Sequence, residues 1–109
     1  MSNMTLREVC EMTKVSRRAI QGYEQAGLVV ASARTERGYL LYDERTQQRI
    51  QQIKLFQDLG FSVKEIAGII EAPKDELKSA LETKISMLQE KGEKIEVLII
   101  KAKKLIEQL

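Results

Sequence analysis

A mainly α-helical fold with one small two-stranded β-hairpin and a long C-terminal coiled-coil helix is predicted by three features of the 109-residue sequence. Two capping boxes open helices, at Thr5-Leu6-Arg7-Glu8 and Ser62-Val63-Lys64-Glu65. β-forming residues flank the glycine-containing stretch Arg34–Gly38. From Leu81 to Leu109, apolar residues recur at alternating spacings of four and three. Residues 1–72 and 73–109 therefore read as two parts of different kind.

The first helix is expected over about residues 5–13, with Leu6, Val9 and Cys10 on one face. Ser16 is a good N-cap for a second, running to about Ala26 with Ile20 and Tyr23 inward. Gly27 follows it as a C′ residue in the left-handed conformation. Only Thr13-Lys14-Val15 separates the two, a helix-turn-helix spacing. Gly22, inside the second helix, costs roughly 0.5–1 kcal/mol relative to alanine. Val29-Val30 and Tyr39–Tyr42 suit the two strands of a wing, with Arg34–Gly38 as its turn. A third helix begins at Asp43, carries Ile50, Ile53, Phe56 and Leu59, and ends at Gly60. The second capping box starts a short helix with Val63, Ile66, Ala67 and Ile70 on one face, and Pro73 breaks the chain after it. The last helix, about 35 residues and roughly 50 Å long, carries the seam Leu81, Ile85, Leu88, Gly92, Ile95, Ile99, Ala102, Ile106 and Leu109. So long an apolar seam needs a partner helix, most simply a second copy of the chain in a homodimer.

Composition narrows the function. Histidine is absent and Cys10 is the single cysteine. The commonest general base and the commonest transition-metal ligand are thus missing. No cofactor or metal is expected, and Cys10 reads as a small core residue. Acidic pairs such as Asp43-Glu44 suit a helix N-terminus better than an acid/base dyad, so no enzyme is expected. No apolar run approaches the roughly 20 residues of a membrane span and no signal-peptide core opens the chain, which predicts a cytoplasmic protein with no membrane partner. The net charge of +2 decides little, so the placement of the cations matters more.

Those cations read either as solvated surface charge or as the contacts of a DNA reader, and the wing arginines and long helix favour the second. Arg17 and Arg18 lie in the first turn of the second helix, where a recognition helix meets base edges. Their donor forks match guanine or a phosphate bidentately. Lys14 precedes them, Ser16 and Gln21 extend the same element, and the hydroxyl of Tyr23 can reach a phosphate. Tyr23 and Tyr42 have a competing reading as core residues with wet hydroxyls. Arg34, Arg37 and Tyr39 belong to the wing, and Lys64 stands at a helix N-terminus suited to phosphate. Cations from separate elements that converge on one face suit double-stranded DNA.

The stretches VSRRAIQGYEQAGLV, RTERGYLLY and LFQDLGFSVKEIAGII resemble, in order and spacing, the mercury-resistance-regulator (MerR) family of bacterial transcription factors. The resemblance covers residue 4 to about 70 and implies a winged helix-turn-helix on an antiparallel coiled-coil homodimer. It further implies a palindromic promoter site, distorted so that RNA polymerase can use it. It maps Arg17, Arg18 and Tyr23 to recognition-helix contacts and Arg34, Arg37 and Tyr39 to wing contacts. The chain departs from the family where Gln21-Gly22-Tyr23-Glu24 replaces Arg-Tyr-Tyr-Glu, where Leu40 replaces an arginine, and where a proline before the wing is missing. Weaker or differently specific binding is expected, with Arg37 compensating in part for Leu40. The family's metal sensors use cysteines near the long helix, so no metal response is expected. A chain that stops at Leu109 in mid-heptad points to a DNA-binding fragment separated from its sensor, a naturally short member being the alternative. Two other functions compete with promoter regulation: an architectural, excisionase-like DNA binder without polymerase activation, and an interaction adaptor built on the coiled coil.

Overall fold

The computed structural model describes residues 3–109, so the first two residues of the expected 1–72 part lie outside it. The chain divides into two compact units, one ending at Glu71 and one beginning at Ala72. The first unit contains β1 (Met4–Thr5), α1 (Leu6–Thr13), α2 (Arg17–Gln25), β2 (Ala33–Arg34), β3 (Leu40–Tyr42), α3 (Glu44–Asp58) and α4 (Val63–Ile69). The second is α5, Lys74–Gln108.

Local chemistry explains the helix boundaries. In α1 the Thr5 side chain accepts from the Glu8 N–H while Glu8 accepts from the Thr5 N–H at 2.9 Å. Ser62 and Glu65 repeat the reciprocal arrangement at α4. Asp43 caps α3 by accepting the Thr46 N–H at 2.9 Å. Two helices end in Schellman motifs. At the end of α2, Leu28 N–H donates to Tyr23 O and Gly27 N–H to Glu24 O, with Gly27 at φ 76°. At the end of α3, Phe61 N–H donates to Phe56 O and Gly60 N–H to Gln57 O. There the two phenylalanine rings meet edge to face, centroids 5.9 Å apart, adding the apolar contact that closes such a motif.

The sheet departs from the expected hairpin. It has three strands in the order β1-β3-β2, both pairings antiparallel. Met4 pairs with Tyr42 and Thr5 with Leu41, and on the other side Ala33 pairs with Leu41 and Arg34 with Leu40. Val29 and Val30 are not strand residues. Once the Schellman turn has redirected the chain, Val29 is drawn into the core and Val30 is left 75% exposed. Tyr39 stands just outside β3. The wing tip is a three-residue hairpin loop: Gly38 N–H donates to Thr35 O, Thr35 N–H donates to Tyr39 O, and Gly38 has φ 86°. This is a type I turn closed by a left-handed glycine, which matches the strand twist.

Val9, Ile20, Tyr23, Tyr42, Ile50, Ile53 and Ile66, each under 2% exposed, form the centre of the first unit. Cutting such an isoleucine to alanine costs about 2–5 kcal/mol. Cys10 is half-buried beside that centre rather than inside it, and Ala67 is exposed rather than inward. Buried Gln47 donates to Tyr42 O at 2.8 Å. Arg49 ties the loop after α2 to the end of the unit, its Nε donating to Leu28 O and its Nη1 pairing with Glu71 at 2.7 Å.

Helix α5 begins directly after Pro73, which serves as its N-cap residue without a side-chain bond. None of its side chains is buried. The seam residues Ile85, Leu88, Ile95, Ile99, Ile106 and Leu109 are all exposed, and Met87, Val97, Leu98, Ile100 and Leu105 are exposed off the seam.

Candidate nucleic-acid interface

The turn that joins α1 to α2 hangs on Lys14. Its φ of 61° makes it the one non-glycine residue in the left-handed region among the described residues, and its N–H donates to Cys10 O at 3.0 Å. Ser16 then caps α2, its Oγ accepting the Ala19 N–H at 3.0 Å. Ser16 is exposed, but this lone-pair use makes it first a cap. Arg17, Arg18 and Gln21 are exposed on the following turns. Positions 17 and 21 are one turn apart on the same face.

Tyr23 corrects the expectation placed on it. Its side chain is 1% exposed and its hydroxyl donates to Gln57 Oε1 at 2.5 Å. The donor expected to meet a phosphate is spent inside the fold, and Tyr23 is a core residue joining α2 to α3. Tyr42 does the same from the sheet, donating to Glu24 Oε1 at 2.5 Å. Burial, then the Glu24 carboxylate, raises the ionisation of Tyr42, and burial raises that of Tyr23. Both phenols are thus neutral donors at physiological pH. Together they fix α2 against the sheet on one side and against α3 on the other.

The wing and α2 border a shared depression. A concavity of about 570 Å³ is lined by Arg17 from α2, by Arg34, Tyr39 and Leu40 from the wing, and by Thr5 and Arg7 from the start of α1. Arg34 is held in place by Nη1 donating to Gly38 O at 3.0 Å. Tyr39 is 62% exposed. Arg37 is exposed in the hairpin loop. Arg17, Arg34 and Tyr39 therefore line one concavity, while Arg37 stands beyond it at the tip. Lys64 is exposed on α4, but the expected phosphate cradle beside it is compromised. The Ser62 and Glu65 N–H groups are already bonded within the capping box, and Glu65 puts a carboxylate at that helix end.

Two cations escaped the sequence reading. Arg7 shares the wing concavity, and Lys54, paired with Asp58 at 2.8 Å, shares a smaller one with Lys14 and Ser16. Both adjacencies are tertiary, so spacing along the chain carries no sign of them. Gly22 is half-buried, and a Cβ built on it would meet nothing within 4 Å. Packing inside the fold does not require glycine there.

Two helices joined by a tight turn, with a hairpin whose arginine meets the second helix across one concavity, define a winged helix-turn-helix protein. The chain belongs to the MerR family: residues 4–73 match the model of the MerR HTH family regulatory protein, and residues 47–109 match that of the MerR DNA-binding region. It is similar to the HTH-type transcriptional activator mta of Bacillus subtilis (strain 168), 32% identical over 94 residues that make up 86% of this chain and 37% of that protein. It is similar also to the mercuric resistance operon regulatory protein of Bacillus cereus, at 31% identity over 84% of this chain and 71% of that one. Among solved structures it is similar to the N-terminus of MtaN, the Bacillus subtilis multidrug transporter activator. That likeness has a TM-score of 0.71 at 29% identity and covers 94% of this chain and 97% of that one. The chain thus spans well under half of the activator mta's own length.

Proposed function

We propose that this chain is the DNA-reading and dimerising part of a transcription regulator. It binds a two-fold symmetric promoter site as a homodimer and distorts the DNA for RNA polymerase. The observation that carries the reading is the shared concavity of Arg17, Arg34 and Tyr39, which sets recognition helix and wing on one face. In this reading Arg17, Arg18 and Gln21 address base edges, while Lys14, Arg34, Arg37, Tyr39 and Lys64 address phosphates. Leu81, Ile85, Leu88, Ile95, Ile99, Ala102, Ile106 and Leu109 join two copies. Bending and untwisting a site costs several kcal/mol by elastic estimates, so flanking phosphate contacts are needed on both half-sites. The function is one of binding, without catalysis, and its setting is the cytoplasm.

Fluorescence anisotropy on labelled duplex DNA across a range of salt concentrations tests this. Each phosphate neutralised contributes about −0.9 to the log–log slope, so a dimer making six or more contacts gives a slope of about −5 or steeper. Arg37→Ala, present in both copies, is expected to weaken binding and flatten the slope by about 1.8. Salt-independent binding, or none, would sink the proposal and leave the coiled coil as an interaction module.

A further inference from the structure

We infer that Arg7, at the start of α1, is an additional DNA-phosphate contact that bridges recognition helix and wing, and that Glu11 is the internal anion it exchanges for the phosphate. The inference rests on the DNA-binding reading above and adds to it a residue and a switch of partners.

Three observations place Arg7 on the interface. It lines the same concavity as Arg17 and Arg34, so three guanidinium-bearing residues from three elements border one depression. Its backbone is held to the wing, because Thr5, two residues earlier, pairs with Leu41 on the central strand. Its side chain is 84% exposed, and among the described residues its ion-pair partner is Glu11, at 3.4 Å through Nε. Glu11 is itself 69% exposed. A pair this open is weak, since water screens it and two long side chains must be ordered to form it. A phosphate brought against the concavity competes well with such a partner, because the guanidinium fork takes two phosphate oxygens in parallel. Glu8, next to Arg7 in sequence, does not compete: it is turned back onto the Thr5 N–H and hydroxyl at 2.9 and 3.1 Å. Arg7 then binds backbone rather than base and raises affinity for every sequence alike.

The test is anisotropy titration of the full chain with a fluorescein-labelled duplex of mixed sequence at increasing KCl, alongside thermal melts of each variant. Arg7→Gln keeps a good helix former and, removed from both copies of the dimer, is expected to flatten the log–log salt slope by about 1.8, roughly a 12-fold smaller loss of affinity for each four-fold rise in salt. Arg7→Lys is expected to keep the slope, and Glu11→Gln to bind more tightly than the parent chain at low salt. An unchanged slope in Arg7→Gln, with Arg37→Ala flattening it, overturns the inference and leaves the DNA-binding reading standing. So does a Glu11→Gln variant that binds no tighter. Absence of salt-dependent binding by the parent chain removes both.

Discussion

Lys14 holds a conformation that suits glycine, at φ 61° in the turn between α1 and α2. The left-handed region costs an L-residue about 1–2 kcal/mol, and glycine recovers that while giving back roughly 0.5–1 kcal/mol of extra unfolded-state entropy. The balance favours glycine by about 0–1.5 kcal/mol. Strain of this kind persists where the side chain has a use, and Lys14 carries a cation immediately before the recognition helix. Lys14→Gly is therefore expected to raise stability by that amount in urea melts while flattening the DNA salt slope of the dimer by about 1.8. A variant with both stability and slope unchanged would show that the conformation serves no binding role. Tyr23 illustrates the opposite limit of residue-level reading. Its place about a turn and a half past the arginines suits a phosphate donor and a core residue alike, and the position of Gln57 on α3 decides for the core.

At the scale of elements, the two buried tyrosines make the orientation of α2 sensitive to alkali. Burial, reinforced by Glu24, raises the Tyr42 ionisation in the folded chain. Its contribution to stability is complete below the unfolded-state value of about 10 and is lost as pH rises through the higher folded value. Urea melts between neutral pH and pH 11 are expected to show stability falling on that limb, and Tyr42→Phe is expected to fall less steeply. The same variant starts lower at neutral pH by about 1 kcal/mol, because Glu24 loses its donor. If the parent and Tyr42→Phe decline in parallel, the phenol is not the titrating group. Most element boundaries were legible because their causes are local: capping boxes at Thr5 and Ser62, N-caps at Ser16 and Asp43, and the left-handed glycines 27, 38 and 60. The third strand was not. Met4-Thr5 reads only as the approach to a capping box, and its partner lies far along the chain at Leu41–Tyr42. Val29 and Val30 misled for a related reason, since β-branched residues suit a strand and a core-lining loop alike. The candidate site divides the same way. The arginines of α2 and the wing announce themselves by motif, whereas Arg7 joins them only through the sheet that ties α1 to the wing.

At the scale of the whole molecule, α5 presents the apolar surface that the proposed homodimer covers. It is a 35-residue helix with no buried side chain, and helices draw most of their stability from packing an apolar face. Along Val97-Leu98-Ile99-Ile100 the successive 100° steps turn apolar side chains to every side, and the whole run is exposed, the pattern of a helix segment that is covered in its working state. Under the proposed homodimer, Ile95 and Ile99 lie in the seam. A two-fold interface repeats each substitution, so Ile99→Lys removes two isoleucines at about 1.5–3 kcal/mol each. That predicts a dimer constant weakened by about 10²–10⁴-fold, read directly by sedimentation equilibrium. Mass action adds a second signature: the parent chain's melting temperature is expected to rise with protein concentration, and that of Ile99→Lys to stay flat. DNA affinity is expected to fall with dimerisation, because two linked half-site contacts gain from effective concentration and a lone one does not. A parent chain that sediments as a monomer, with a concentration-independent melting temperature, would refute the second copy as the partner and leave the seam to another protein.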